Sequence, residues 1–256
     1  MTKDPRIVRL QLDLGDSAPV QPARFNPQTQ VCSDCGIRAF ALFGALDLAD
    51  IDRIHVRIAD LSFAPGESLF CAEAPGQAVY TIRSGVVRLE RSTATGARRI
   101  TRLAGRADLI GLEAVLGQTY AAEAIACTPV TACRIPRGVV EALTADHPAL
   151  TRDLMKRWQR ALDDADEWLT ELTRGSARHR MLRLLLKLSE FSSADGLIWL
   201  PSRQDMGAML DMTFETASRL VSAARRDGLL EPVDARHARL AMPALLQALQ
   251  DEQDAA

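Results

Sequence analysis

The chain has 256 residues, 47% of them hydrophobic, with 31 Lys and Arg against 33 Asp and Glu for a formal charge of −2. That length allows two modest domains of about 100–150 residues, and the balanced composition excludes a collagen-like or low-complexity chain. No apolar run reaches the ~20 residues that cross a bilayer and no charged-then-apolar leader opens the sequence, so the expectation is a cytoplasmic protein with no membrane partner.

Residues 1–30 carry Pro5, Pro19, Pro22 and Pro27 without a sustained apolar period, which predicts a flexible arm. The stretch VCSDCGIRAFALF follows, with Cys32 and Cys35 two residues apart. Five cysteines without a secretory leader point to thiols, metal ligands or redox chemistry rather than a disulfide framework. For the pair, zinc, a cluster with a non-cysteine ligand and a reversible disulfide all stay open. Cys71 and Cys127 read more simply as residues without a special role.

A short helical stretch is expected near Phe40–Arg57. Beyond it Gly66, Gly76, Gly85, Gly96, Gly105, Gly111 and Gly117 separate short β-rich runs such as VYTIRSGVVRLE and RRITRLAG. Evenly spaced strands with glycine turns predict a β-sandwich or barrel-like roll, which with the cysteine segment occupies residues 31–145. Its last strand, VTACRIP, ends at Pro136 and carries Cys133.

Residues 146–173 take up a helical period. Leu150, Leu154, Trp158, Ala161, Ala165, Trp168 or Leu169, and Leu172 recur at steps of three and four. Such a stripe can pack on the roll; its near-heptad regularity favours a coiled-coil-like dimer seam, built from Leu150, Leu154, Trp158, Ala161, Ala165 and Leu169. Asp163, Asp164 and Asp166 lie in mid-helix as a solvated face or as a brake on dimerisation.

Between Arg174 and Arg239 there are 11 Lys and Arg against 8 Asp and Glu, a mild basic bias. Within residues 174–256 the stretch SRQDMGAMLDMTFETASRLVSAARRDGLL is the most specific. Ser202 is a candidate N-cap, followed by the short apolar set Met206, Met209 and Leu210, with Gly207 small enough for close helix contact. Asp211–Met212 turns the chain, Thr213 caps again, and Phe214, Ala217, Leu220, Val221 and Ala224 form the buried stripe of a second helix ending at Gly228. This is a helix-turn-helix, whose second helix enters the major groove of double-stranded DNA.

The opposite face carries Glu215, Ser218, Arg219 and Ser222. Arg219 can donate twice to guanine O6 and N7, Glu215 can accept from cytosine N4, and Ser218 can meet a base or a phosphate. A Glu near a helix start also suits the helix dipole by itself. Arg203, Arg225 and Arg226 are placed to bind phosphates. LLEPVDARHARLAMP then reads as a two-stranded wing turning at Asp234–Arg236.

A β-roll, a long dimer helix and a C-terminal winged helix-turn-helix, an α+β arrangement, resemble the CRP/FNR superfamily of bacterial transcription regulators over about residues 32–245. FETASRLVSAARRDGLL resembles the recognition helix of the FNR branch, with its E-x-x-S-R pattern. The resemblance implies that Glu215, Ser218 and Arg219 read TTGAT-type half-sites as a homodimer, and that RNA polymerase is a further partner. It also implies a [4Fe–4S] cluster held by Cys32, Cys35 and Cys133, answering to oxygen or redox state. Ala41 and Phe43 stand where the third N-terminal cysteine would fall, so a fourth ligand is unassigned, Cys71 or Cys127 being the remaining cysteines. Cyclic AMP is not expected: Gly111 is followed by Leu112, and TYAAEAIA lacks the arginine that would clamp a cyclic phosphate.

No phosphate-binding loop, nucleophile elbow or zinc-protease His pair is present in the sequence, and the chain reads as a regulator rather than an enzyme. Two alternatives remain. One is a regulator that binds DNA with a cluster-free redox sensor or no effector. The other is a cysteine-based redox or metal-binding protein, supported by Cys32 and Cys35 alone.

Overall fold

Short β-branched runs separated by turn glycines build the first half of the chain into two facing sheets. The structure, a computed structural model, describes residues 58–93 and 96–254; the expected arm, the helical stretch near Phe40–Arg57 and the pair Cys32 and Cys35 lie outside these. The strands are β1 (Ala59–Phe63), β2 (Ser68–Phe70), β3 (Ala78–Ser84), β4 (Val87–Ser92), β5 (Arg98–Ala104), β6 (Leu109–Ile110), β7 (Glu123–Ala126) and β8 (Val130–Pro136). One sheet runs β1-β8-β3-β6 and the other β2-β7-β4-β5, with antiparallel pairing throughout. Gly85 turns β3 into β4 at φ +88, and a Cβ there would stand 2.3 Å from the carbonyl oxygen of Pro129. Only glycine fits both demands.

Phe63, Ile82, Val87, Ala104, Ile110 and Val130 fill the space between the sheets. Helices α1 (Arg137–Asp146) and α2 (Pro148–Glu171) follow β8, and Val139, Val140, Leu143, Leu150 and Leu154 join the same apolar cluster. Pro148 sits in the first turn of α2, where its missing N–H costs nothing.

The length of α2 matches the expected helix, but its faces divide differently. Leu150 and Leu154 are 2% and 7% exposed, buried in the chain's own roll core, so they cannot form a dimer seam. Trp168 and Leu172 are likewise buried, in a second cluster. The apolar residues that reach solvent are Met155 (68%), Trp158 (41%), Leu162 (53%) and Leu169 (61%). With the half-buried Ala165 they recur at alternating steps of three and four. The expected stripe thus merged two neighbouring ones, and Ala161 lies between them, half-buried.

The second cluster belongs to the C-terminal half: α3 (Ala177–Ser189), β9 (Ile198–Trp199), α4 (Arg203–Leu210), α5 (Phe214–Arg226), β10 (Leu230–Pro232), β11 (His237–Leu240) and α6 (Met242–Asp254). Met181, Leu184, Leu185 and Leu188 of α3 pack against Met206, Met209, Val221 and Leu245. The sheet order β10-β11-β9 adds one strand to the expected two-stranded wing. Among the described residues no helix is long and apolar enough to cross a membrane.

Candidate nucleic-acid interface

Two side-chain caps set the geometry of the helix pair. Ser202 Oγ accepts from the backbone N–H of Asp205 at 3.1 Å and donates to Asp205 Oδ2 at 2.8 Å, closing the start of α4. The helix stops at Asp211, held in the left-handed region at φ 54. Gly207 lies against the turn, where a Cβ would meet Met212 O at 2.6 Å. From α3, Arg180 donates to the carbonyls of Leu210 and Asp211, which fixes the turn. Thr213 Oγ1 then accepts from the N–H of Thr216 at 3.2 Å and α5 begins. Its end is closed by the N–H of Gly228 on Arg225 O and that of Leu229 on Ala224 O, at 3.1 and 2.9 Å, with Gly228 at φ +70.

Ala217, Val221 and Ala224 are buried on one side of α5. Glu215, Arg219 and Ser222 are exposed on the other side and Ser218 is half-buried, so the structure brings the sequence-predicted reading residues onto one outward face. The Glu215 carboxyl is held below the usual carboxylate range by its own backbone N–H and by the Thr213 hydroxyl, so it presents a pure acceptor at neutral pH. Among the described residues Arg219 donates to Thr216 Oγ1, at 3.5 Å, and Ser222 Oγ donates to Ser218 O at 2.9 Å.

Arg225 and Arg226 occupy the last turn of α5 and are exposed, with no acidic partner among the described residues. Arg203 is half-buried at the start of α4, and its guanidinium is pushed down by burial and by the nearby charge of Arg225. Like charges held together in this way suit an anionic partner.

Phe214 corrects one expectation. It was placed in the buried stripe, yet it is 53% exposed at the first position of α5. The four-residue step to Ser218 was the signal for the reading side, and it competed with the three-residue step to Ala217.

The described cysteines do not converge. Cys71 is exposed; Cys127 and Cys133 are half-buried. Burial pushes the Cys127 thiol up to about 12, which keeps it neutral, the state of a small core residue. Cys133 on β8 is in register with Asp60 on β1 and Thr81 on β3. Asp60 Oδ1 and Thr81 Oγ1 are buried without hydrogen-bond partners among the described residues. No group of three His, Cys, Asp or Glu side chains suited to a metal ion occurs among the described residues. Of the three suspected cluster ligands the described residues supply Cys133 alone.

A two-sheet roll, a long helix and a capped helix-turn-helix with an outward polar face define a two-domain DNA-binding regulator. Comparison with known proteins agrees with that class. A cyclic nucleotide-binding domain model matches residues 60–147, and a Crp-like helix-turn-helix domain model matches residues 179–249. The nitrogen fixation regulation protein FixK of Bradyrhizobium diazoefficiens is 29% identical, over 80% of this chain and 87% of its own. An anaerobic regulatory protein of Pasteurella multocida is 26% identical, over 78% of this chain and 75% of its own. Among solved structures FixK2 of Bradyrhizobium japonicum superposes with a TM-score of 0.67 at 26% identity, covering 76% of this chain and 96% of that one. The chain belongs to the CRP/FNR superfamily of transcription regulators.

Proposed function

We propose that the chain is a homodimeric, sequence-specific regulator that reads palindromic TTGAT-N4-ATCAA-like sites with Glu215, Ser218 and Arg219. The observation that carries this reading is the division of α5, whose apolar side is sealed in the C-terminal helix-turn-helix domain, the head of the molecule, while Glu215 and Arg219 face outward. Arg203, Arg225 and Arg226 serve the phosphates, which supply salt-dependent affinity without sequence information. Phe214, standing beside Glu215, packs on a thymine methyl. The exposed apolar stripe of α2 is the dimer seam, and it spaces two recognition helices about one DNA turn, ~34 Å, apart.

The signal is oxygen or redox state, received at Cys32, Cys35 and Cys133. The relatives named for nitrogen fixation and for anaerobic regulation support that direction. Cyclic AMP is not the effector in this reading. Inside the roll the Tyr120 hydroxyl accepts from the N–H of Ala78 at 3.2 Å and donates to Ala78 O at 2.7 Å, and its ring stacks on Phe70 at 4.0 Å. That aromatic packing lies against Gly111, and residues 119–126 bring no cation to hold a phosphate.

The readout is tested by Arg219→Ala in a binding titration at fixed salt. The expected result is a loss of ~1–3 kcal/mol on the operator and a relaxed preference at the guanine. Unchanged discrimination would reject the assigned role of Arg219.

A further inference from the structure

Strand β5 closes its sheet at one edge, in the order β2-β7-β4-β5, and an uncovered edge presents unpaired backbone groups. Here the DNA-reading head covers it, with α4 packed along the strand. Val86, Ile100 and Leu103 of the roll are buried in the head's apolar cluster rather than in their own. At the end of the strand Gly105 lies so close to Phe191 that a Cβ would stand 2.5 Å from the ring.

Two arginines of this edge engage the two ends of α4. Arg98 Nη2 donates to Asp205 Oδ1 at 2.7 Å, with Arg88 Nη1 a further 3.9 Å from the same oxygen. The other oxygen, Oδ2, takes the Ser202 hydroxyl that belongs to the helix cap. One carboxylate therefore closes the helix-turn-helix at its first residue and ties it to the roll. Glu90 holds Arg88 and Arg98 in place at 2.9 and 3.0 Å. At the far end Arg99 Nη1 reaches Asp211 Oδ1 at 2.6 Å, on the turn that leads into α5.

We infer that Arg98 and Arg99 are positioning residues for DNA reading: clasped to Asp205 and Asp211, they hold the recognition helix at a fixed orientation to the sensor roll. The inference rests on the DNA-reading role of α5 and adds the route by which the roll sets it. Ion pairs of this kind contribute little net stability, because desolvation offsets the Coulomb gain, and their use lies in fixing one arrangement among several. Burial alone would raise the Asp205 carboxyl, but Ser202, Arg98 and Arg88 together hold it below the usual range. A depressed carboxylate keeps its contribution above its unfolded value and loses it only as pH falls through the folded one, so the Arg98–Asp205 arm is intact at neutral pH.

The experiment uses the full chain with Arg98→Gln, Arg99→Gln and the conservative Arg98→Lys, none of which removes a helix cap. Binding is titrated on a TTGAT-N4-ATCAA duplex and on a scrambled duplex at one salt concentration, and amide exchange is followed across residues 98–104 and 203–226. We expect each Gln variant to lose about tenfold on the operator, within the usual range of intersite coupling, with scrambled-duplex binding unchanged. Exchange should quicken at β5 and α4 while α3 and α6 stay protected, and Arg98→Lys should recover part of both effects. Wild-type or tighter operator binding by both Gln variants, or an equal loss on both duplexes, would overturn the clasp. Arg219→Ala is run alongside: if neither it nor the wild type discriminates the duplexes, the DNA-reading role fails, and the exchange data still decide the clasp.

Discussion

Helices α5 and α2 are both amphipathic, and they turn opposite kinds of face outward. In α5 the buried side is small and apolar and the open side holds Glu215, Arg219 and Ser222. In α2 Leu150, Leu154 and Trp168 are buried, and the open side still carries Met155, Trp158, Leu162 and Leu169. A hydrogen-bonding face left in water loses little by staying there, and gains specificity when a base edge replaces the water. An apolar row left in water is costly at about 25 cal/mol per Å² and calls for a covering surface of its own kind. On this difference rests the proposal that one helix meets DNA and the other a second copy of the chain.

Substitutions on the exposed row of α2 should act most strongly. Leu162→Asp should shift the protein to monomer in sedimentation analysis. An apolar side chain is worth about 1.5–3 kcal/mol and a twofold interface loses it twice, so the dimer should weaken by ~3–6 kcal/mol. The same change at buried Leu154 should instead lower the melting temperature of the roll. On α5, Phe214→Ala should cost operator affinity about 1 kcal/mol, lost only where a thymine methyl is present, which a uracil-for-thymine duplex checks. The smallest effect belongs to the helix end. Arg225→Gln should weaken all duplexes alike and reduce the slope of log affinity against log salt by about 1 for each subunit.

These two helices also mark how far the amino-acid sequence could be read. Ser202, Thr213 and Gly228 punctuate the helix pair with chemistry that works locally, so the caps and the side of α5 holding Glu215 and Arg219 follow from the residues alone. In α2 two apolar rows run side by side, and a period between 3.5 and 3.6 cannot tell which of them meets the roll; only the tertiary packing that draws Leu150 and Leu154 into the roll's apolar cluster decides it. Phe214 escaped for a related reason: Ala217, Val221 and Ala224 supply the side of α5 that meets the core, and the ring at the first position stays outside it. The clasp was hidden because Arg98 and Asp205 lie 107 residues apart and no local period links them. Cys133 was placed correctly on the last strand, while its row-mates Asp60 and Thr81 come together only through strand register.

Everything proposed for DNA reading depends on the outward face of α5 distinguishing one base pair from another. That distinction is tested most directly by measuring the affinity of the purified chain for a TTGAT-N4-ATCAA duplex and for one with the half-site guanines replaced, at the same salt concentration. A loss of ~1–3 kcal/mol per replaced pair is expected, abolished in Arg219→Ala. Equal affinity of the wild-type protein for both duplexes would contradict it.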